Sequence, residues 1–258
     1  MNWKIAQLTQ LNSAPGTNSA HIIWNTALYD SDQTVVRTAL NVFDNRKIPR
    51  ALSVEELIWI QARIGTASWS EARAWAYILA NSGLATNALL LSIIADRYVA
   101  EVRAPPAILT AYGVGSAYIQ GEALFYHQWL RVFRLSDHAL SRRILRVKHR
   151  QATEPRVRFW LDFARGTAGD EEVAERLLSV VEDEAIGVSY RAVALSAFAG
   201  AAGSAAVPVL ERCKTDRGPG VLTDVGRRMF PLSVVANQEL QRMKQGSGET
   251  PATGAVPR

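Results

Sequence analysis

Cysteine and histidine are scarce in this sequence of 258 residues, which holds one cysteine and four histidines. The single cysteine, Cys213, excludes an internal disulfide and is typical of a protein from a reducing compartment. No histidine has the spacing to the cysteine or to another histidine that a zinc site requires. We therefore expect no metal and no cofactor. Because residues 1–11 lack the apolar core and cleavage site of a signal peptide, we also expect a cytoplasmic location.

The sequence also lacks the motifs of common enzyme families. Neither a Gly-x-Ser-x-Gly elbow nor a His-Glu-x-x-His pattern occurs. Residues 113–115, Gly-Val-Gly, do not form a phosphate loop because a third glycine and a preceding strand are missing. No catalytic residue is predicted, and a non-enzymatic role is favoured over an enzymatic one.

A long uninterrupted hydrophobic run is missing as well. Residues 192–210 carry no charge over 19 positions, which is close to the length of a membrane span. Gly200, Gly203 and Pro208 interrupt this window, and leucine and isoleucine are rare in it. Two short packed helices explain it better, so we expect no contact with a membrane.

Helical periodicity is the dominant positive signal. In residues 183–216, apolar residues recur at helical spacing before Gly200 and again after Gly203, which predicts a helix hairpin with a glycine turn. Elsewhere, Ser53-Val-Glu-Glu56 predicts a capping box at the start of a helix, and Ser136 is the expected N-cap of the helix that follows it.

The hairpin pattern recurs in residues 30–44, 66–96 and 152–183. In each copy a polar loop precedes an arginine one turn into a helix, and small apolar residues follow. These arginines are Arg37, Arg73, Arg158 and Arg191. The first two are 36 residues apart and the last two 33 residues apart, a period that indicates stacked helical hairpins.

The best copy of the pattern runs from Asp32 to Leu40, with Val36-Arg37 and Ala39 between them. It resembles the HEAT-like helical repeat family, and the likeness extends over roughly half of the chain. The resemblance implies an all-α, right-handed α-solenoid of about six or seven HEAT-like hairpins, which we expect over residues 1–245. It also implies a binding role, no catalytic residue, and repeat arginines that pair with an acid of the neighbouring repeat. Residues 246–258 are rich in Gly, Ser, Thr and Pro and are predicted to form a disordered tail.

Basic character is concentrated in residues 131–158, which hold nine basic and two acidic residues, whereas the whole chain carries a net charge of only +5. On a helix, Arg142, Arg146 and Arg150 lie on one face, opposite an apolar stripe of Leu140, Ile144 and Val147. We expect this helix to line the concave surface of the solenoid and its charges to be dispensable for the core. The candidate binding residues are Arg131, Arg134, Arg142, Arg143, Arg146, Lys148, His149 and Arg150. The alternative is a solvated helix face without a ligand.

These features predict a non-enzymatic scaffold or adaptor that binds a macromolecule. A protein partner with an acidic surface is favoured over nucleic acid, because the flanking repeats lack the basic residues that backbone contacts would use. The alternatives are a nucleic-acid-binding HEAT-like protein, including a DNA-glycosylase-like enzyme that uses Asp162 between Trp160 and Phe163, and a HEAT-like chromophore lyase.

Overall fold

The computed structural model describes residues 3–13, 17–43, 52–81, 87–104, 121–222 and 228–246. About 84% of these residues are helical, so the predicted all-α class is confirmed. Gly246 ends the last helix, and residues 247–258 of the predicted tail lie outside the described residues.

The helices in chain order are α1 (Trp3–Ser13), α2 (Thr17–Tyr29), α3 (Gln33–Phe43), α4 (Val54–Thr66), α5 (Trp69–Asn81), α6 (Ala88–Arg103), α7 (Gly121–Leu135), α8 (His138–Gln151), α9 (Pro155–Thr167), α10 (Ala174–Glu182), α11 (Val188–Ala202), α12 (Val207–Lys214) and α13 (Pro231–Gly246). Short 3-10 turns, Glu171–Val173 and Gly203–Ala206, precede α10 and α12. Strands β1 (Val221–Leu222) and β2 (Arg228–Met229) form a small antiparallel ribbon before α13.

Short polar side chains start several helices by accepting backbone hydrogen bonds that the first turn leaves unused. Ser53 and Glu56 form the predicted capping box of α4, in which each side chain binds the backbone N–H of the other residue. The predicted N-cap of α8 was wrong by one residue. Asp137 accepts from the N–H of Leu140, whereas the Ser136 hydroxyl donates to the carbonyl of Val132 in the preceding helix.

The helices are arranged in two rows. Each odd-numbered helix from α1 to α13 packs against the next odd-numbered one, and α4, α6 and α8 follow one another in the second row. Hairpin contacts between α2 and α3, α4 and α5, α8 and α9, α10 and α11, and α12 and α13 join the rows. The described helices therefore form two packed rows that are joined by hairpin contacts.

The predicted pairing of α11 with α12 was wrong. Helix α12 packs mainly against α13, and α11 packs mainly against α9, α10 and α13. Every residue from Ala192 to Ala199 is buried, so α11 has no solvent face that would identify its hairpin partner. A helix that is apolar all round reports burial but not which neighbour covers which side.

Large aromatic side chains fill the space between the rows. Trp75 packs edge-on against Trp24, with ring centroids 5.5 Å apart. Further along, the buried Tyr98 donates its hydroxyl to the carbonyl of Trp160 at 2.9 Å, and Tyr126 donates to the carbonyl of Glu101 at 3.1 Å. The aromatic core therefore runs along the stack with these buried hydroxyl groups satisfied.

Helices α9 and α11 approach each other at two glycines. A Cβ on Gly200 would lie 2.5 Å from the carbonyl oxygen of Gly166, and a Cβ on Gly166 would lie 2.9 Å from the carbonyl oxygen of Ala197. Both distances are shorter than atomic contact allows, so the crossing requires glycine on both helices.

The segment Val188–Lys214, which contains α11 and α12, is long and apolar enough to span a membrane by length and composition. More than half of its most apolar window, 56%, is buried inside the fold. That burial is the pattern of a core helix.

Candidate functional site

A groove follows the row of odd-numbered helices. A cavity of about 200 Å³ lies between α3, α5 and α7, and a second cavity of about 410 Å³ lies between α5, α7, α11 and α13. Tyr77 and Arg131 line both cavities and therefore join them. A smaller cavity of about 100 Å³ at the start of α3 and α5 includes Arg37.

Arginines on three successive odd-numbered helices face this groove. The Arg131 guanidinium lies 4.8 Å from the centre of the Tyr77 ring and donates to the Tyr77 hydroxyl at 2.8 Å. The Arg73 guanidinium lies 5.3 Å from the ring centre of Trp69. Arg37 is exposed on α3. Stacking on aromatic rings holds the first two guanidinium groups in place and still leaves Arg131 exposed to a ligand.

The floor of the larger cavity is a buried ion pair. Arg134 donates to Glu239 at 2.8 Å and to the Ser196 hydroxyl at 2.7 Å, and that hydroxyl donates to Glu239 at 2.6 Å. Arg242 donates to the second oxygen of Glu239 at 2.7 Å. Burial alone would raise the pKa of Glu239, but Arg134 and Arg242 outweigh it and hold that pKa below its ordinary value. Glu239 is therefore ionised and ties α13 to α7 and α11.

His127 lines the same cavity and does not add to its charge. Burial, with Arg134 and Arg131 nearby, lowers the pKa of His127 to about 4. The imidazole is neutral at pH 7, so the positive charge of the groove comes from its arginines.

The predicted binding residues on α8 lie in the other row, and their main contacts are internal. Arg146 donates to both oxygens of Asp170, at 3.0 and 2.6 Å, and Arg165 donates to one of them at 2.8 Å. The Asp170 side chain is completely buried. Burial alone would raise the pKa of Asp170, but the hydrogen bonds from Arg146 and Arg165 outweigh this effect and lower the pKa to about 2. Asp170 is the buried acid that holds α8, α9 and the turn before α10 together.

Three more side chains of α8 reach neighbouring elements. Arg142 donates to the carbonyl of Gly169 at 3.2 Å, Lys148 to Asp96 at 2.5 Å, and His149 lies 3.2 Å from Asp162. Arg143 and Arg150 are exposed and have no hydrogen-bond or ion-pair partner in the described part of the chain. The eight predicted residues therefore divide into three groups. Two line the groove (Arg131 and Arg134), four contact neighbouring elements (Arg142, Arg146, Lys148 and His149), and two have no such contact among the described residues (Arg143 and Arg150).

The predicted apolar stripe of α8 was partly wrong. Val147 is 44% exposed, whereas Leu145 and Ser141 are buried and form the inner side of the helix together with the half-buried Leu140 and Ile144. The inner side is therefore displaced around the helix from the expected stripe, and Arg146 sits beside it, within reach of Asp170. The expectation that the charges of α8 are dispensable for the core was wrong for Arg146.

The repeat arginines of the C-terminal half bind carbonyl groups instead of acids. Arg158 donates to the carbonyl of Ala152 at 2.7 Å, and Arg191 donates to the carbonyl of Val181 at 2.8 Å. Both carbonyls belong to the end of a helix, where backbone acceptors have no partner within the helix. The expected pairing with a neighbouring acid is therefore corrected for these two residues.

Asp162 was the candidate acid of a glycosylase-like site. Both of its oxygens accept from Arg176 at 2.9 Å, and Arg165 lies 3.6 Å away. These guanidinium groups hold Asp162 in a structural network on α9 and α10, and this geometry gives no support to an acid–base role.

The chain matches no family model, no curated protein and no solved structure. Within the described ranges, no group of three or more His, Cys, Asp or Glu side chains is arranged to hold a metal ion.

Several groove residues were missed by the sequence analysis. Gln128 lines the cavity between α3, α5 and α7, and its buried Oε1 atom has no hydrogen-bond partner among the described residues. Glu239 is 105 residues from Arg134 in the chain, and no local pattern links them. Tyr77 could have been predicted from the sequence, because it lies one helical turn after Arg73 and therefore on the same face of α5.

Proposed function

We propose that this protein is a cytoplasmic, non-enzymatic scaffold or adaptor that binds a protein partner with an acidic surface in the groove along its odd-numbered helices. The observation that carries the proposal is that arginines of α3, α5 and α7 line the cavities along these helices, with the exposed Arg131 held over Tyr77. Guanidinium groups bind carboxylates in a bidentate manner, and tyrosine beside arginine is a frequent anchor of protein interfaces.

Charge and hydrogen bonding in the groove support an acidic partner. Its cavities are lined by Arg37, Arg73, Arg131, Arg134 and Arg242 against Glu71 and Glu239. Glu239 is already neutralised by two of these arginines. The buried Oε1 of Gln128, which has no partner in the described part of the chain, offers an acceptor for a donor of the bound partner, because a buried acceptor without a partner is costly.

The proposed architecture is a right-handed α-solenoid of HEAT-like hairpins. It is supported by the two rows of helices and by the arginine spacings of 36 and 33 residues. In such a stack each helix pair contacts its neighbours, so one row forms an extended surface that suits a macromolecule better than a small substrate.

Nucleic acid is the second candidate partner, favoured by one observation. Arg143 and Arg150 are exposed on α8 without internal contacts in the described residues, and such cations bind phosphates. Two arginines make a small footprint compared with the groove.

The test compares two double charge reversals, Arg37→Glu with Arg131→Glu and Arg143→Glu with Arg150→Glu. Binding of fluorescent poly-glutamate and of a short DNA duplex is measured at two salt concentrations. We expect the groove reversal to abolish poly-glutamate binding and the α8 reversal to leave it unchanged. Loss of poly-glutamate binding only in the α8 variant would move the site to α8. Binding of DNA alone, with a steep salt dependence, would replace the proposal by the nucleic-acid alternative.

A further inference from the structure

A fourth cavity, whose apolar walls are separate from the groove, lies where α11, α12 and α13 meet. Its volume is about 650 Å³, within the range of about 300–1,000 Å³ that is usual for small-molecule sites. Ala199 and Leu240 form its buried walls, and Met243 and Val207 cover it from the two later helices.

Glycines explain why the cavity is there. Gly200 lines the cavity without a side chain, because a Cβ at this residue would clash with the carbonyl oxygen of Gly166 in α9. Gly203 ends α11 with a φ of 55°, a left-handed conformation, and a Cβ at this position would meet no atom within 4 Å. The backbone requirements of the turn leave an apolar hollow that the surrounding helices do not fill.

The rim of the hollow carries more positive than negative charge. Arg242 and Lys244 of α13 face Glu211 of α12, and Glu211 already lies 3.4 Å from Lys214. Among the described residues, Arg242 donates only from its Nε atom, to Glu239, and its side chain is 42% exposed. The Arg242 guanidinium therefore places a cation at the rim of the apolar hollow.

We propose that this cavity binds a small amphipathic anion of the fatty-acid type. The aliphatic body fills the apolar hollow beside Leu240 and Met243, and the carboxylate binds the Arg242 guanidinium at the rim. An apolar cavity with a few placed polar groups is the usual composition of a ligand site, and guanidinium with carboxylate is a strong charge-assisted pair. Arg242 also lines the larger cavity of the groove, whereas the apolar walls of the hollow do not.

The test uses isothermal titration of the full chain with dodecanoate, dodecanol and dodecyltrimethylammonium, all below their micelle-forming concentrations. We expect dodecanoate to bind one molecule per chain and more tightly than the neutral alcohol, with the cationic analogue weakest. Arg242→Gln is expected to weaken dodecanoate about tenfold, because one charge-assisted pair is lost. Arg212→Gln, an exposed arginine on α12 that pairs with Glu182, is the control and should change nothing.

Val207→Trp fills the hollow and should weaken dodecanoate by at least about tenfold, whereas Val54→Trp should not. Val207 and Val54 are each the first residue of a helix and both are exposed, at 37% and 73%, so Val54 serves as the control position away from the hollow. Helix content measured by circular dichroism confirms that both variants fold. Equal affinity for the three head groups, or unchanged affinity in Val207→Trp, would overturn the proposal. The proposal would also be overturned if dodecanoate bound only to a chain truncated after Gly246. In that case residues 247–258 would be the occupant of the cavity in the full chain.

Discussion

Helices α7 and α8 are neighbours in sequence and both are rich in arginine, yet Arg131 of α7 and Arg146 of α8 have different roles. Arg131 of α7 lies over Tyr77 at the surface of an open groove, whereas Arg146 of α8 binds the completely buried Asp170. The difference is that Arg146 has a buried acid beside it, whereas Arg131 lies against an aromatic ring. A guanidinium beside a buried carboxylate stabilises the fold, and one that is held by an aromatic ring stays available to a ligand.

The largest expected effect is on the structural side of this comparison. Asp170→Asn leaves the guanidinium groups of Arg146 and Arg165 without their buried counter-charge. Removing one partner of a buried pair costs about 3–5 kcal/mol of unfolding free energy, measured by urea denaturation. Asp96→Asn is the control, since Asp96 is 60% exposed in its pair with Lys148 and should cost at most about 1 kcal/mol. Equal effects of the two substitutions would contradict the structural role of Asp170.

The same carboxylate predicts an acid limb in the stability profile. Because the pKa of Asp170 is lowered from 3.8 to about 2, its contribution is complete above about pH 4 and is lost progressively as the pH falls toward 2. Unfolding free energies measured from pH 5 to pH 2 should therefore fall less steeply in Asp170→Asn than in the parent protein. Identical slopes would show that Asp170 titrates normally in the folded state.

The next effect tests the close crossing in the C-terminal half. Gly200→Ala places a Cβ against the carbonyl oxygen of Gly166, and such overpacking costs about 1–3 kcal/mol. Gly65→Ala on α4 meets no atom within 4 Å and should instead raise stability by up to about 1 kcal/mol. Thermal melts of the two variants should therefore shift in opposite directions. A neutral Gly200→Ala would show that α9 and α11 do not need this contact.

A smaller effect is expected for the repeat arginines. Arg191→Ala removes a hydrogen bond to the carbonyl of Val181 and should cost about 1 kcal/mol. Arg37→Ala should be nearly neutral, because Arg37 is exposed and has no partner among the described residues. A loss of unfolding free energy above about 3 kcal/mol for Arg191→Ala would instead support the earlier expectation that Arg191 pairs with an acid.

The sequence predicted those parts of the fold that local chemistry determines. The Ser53 capping box and the helix before Gly203 depend on residues within one turn of each other. The pairing of α11 was not predictable, because a helix buried on all sides has no periodic polar face. The site was half predicted: Arg131 and Arg134 were found as cations, but their partners Tyr77 and Glu239 lie 54 and 105 residues away.

The same limit explains the misassigned helix. The alignment of Arg142, Arg146 and Arg150 on one face is visible in the sequence, but the acids that engage α8 come from α6 and from the segment after α9. A charge count cannot tell a neutralised arginine from a free one. The two free arginines, Arg143 and Arg150, differ from the others only in what the fold places beside them.

The most direct measurement compares Arg131→Glu and Arg146→Glu in the same two assays, urea unfolding and affinity for poly-glutamate per folded molecule. We expect Arg131→Glu to lose affinity for poly-glutamate while its unfolding free energy stays within about 1 kcal/mol of the parent value. Arg146→Glu should lose about 3–5 kcal/mol of stability, since it places an acid against the buried Asp170, while the molecules that remain folded keep their affinity. Loss of affinity in folded Arg146→Glu, with Arg131→Glu binding normally, would contradict the assignment of the groove as the binding surface.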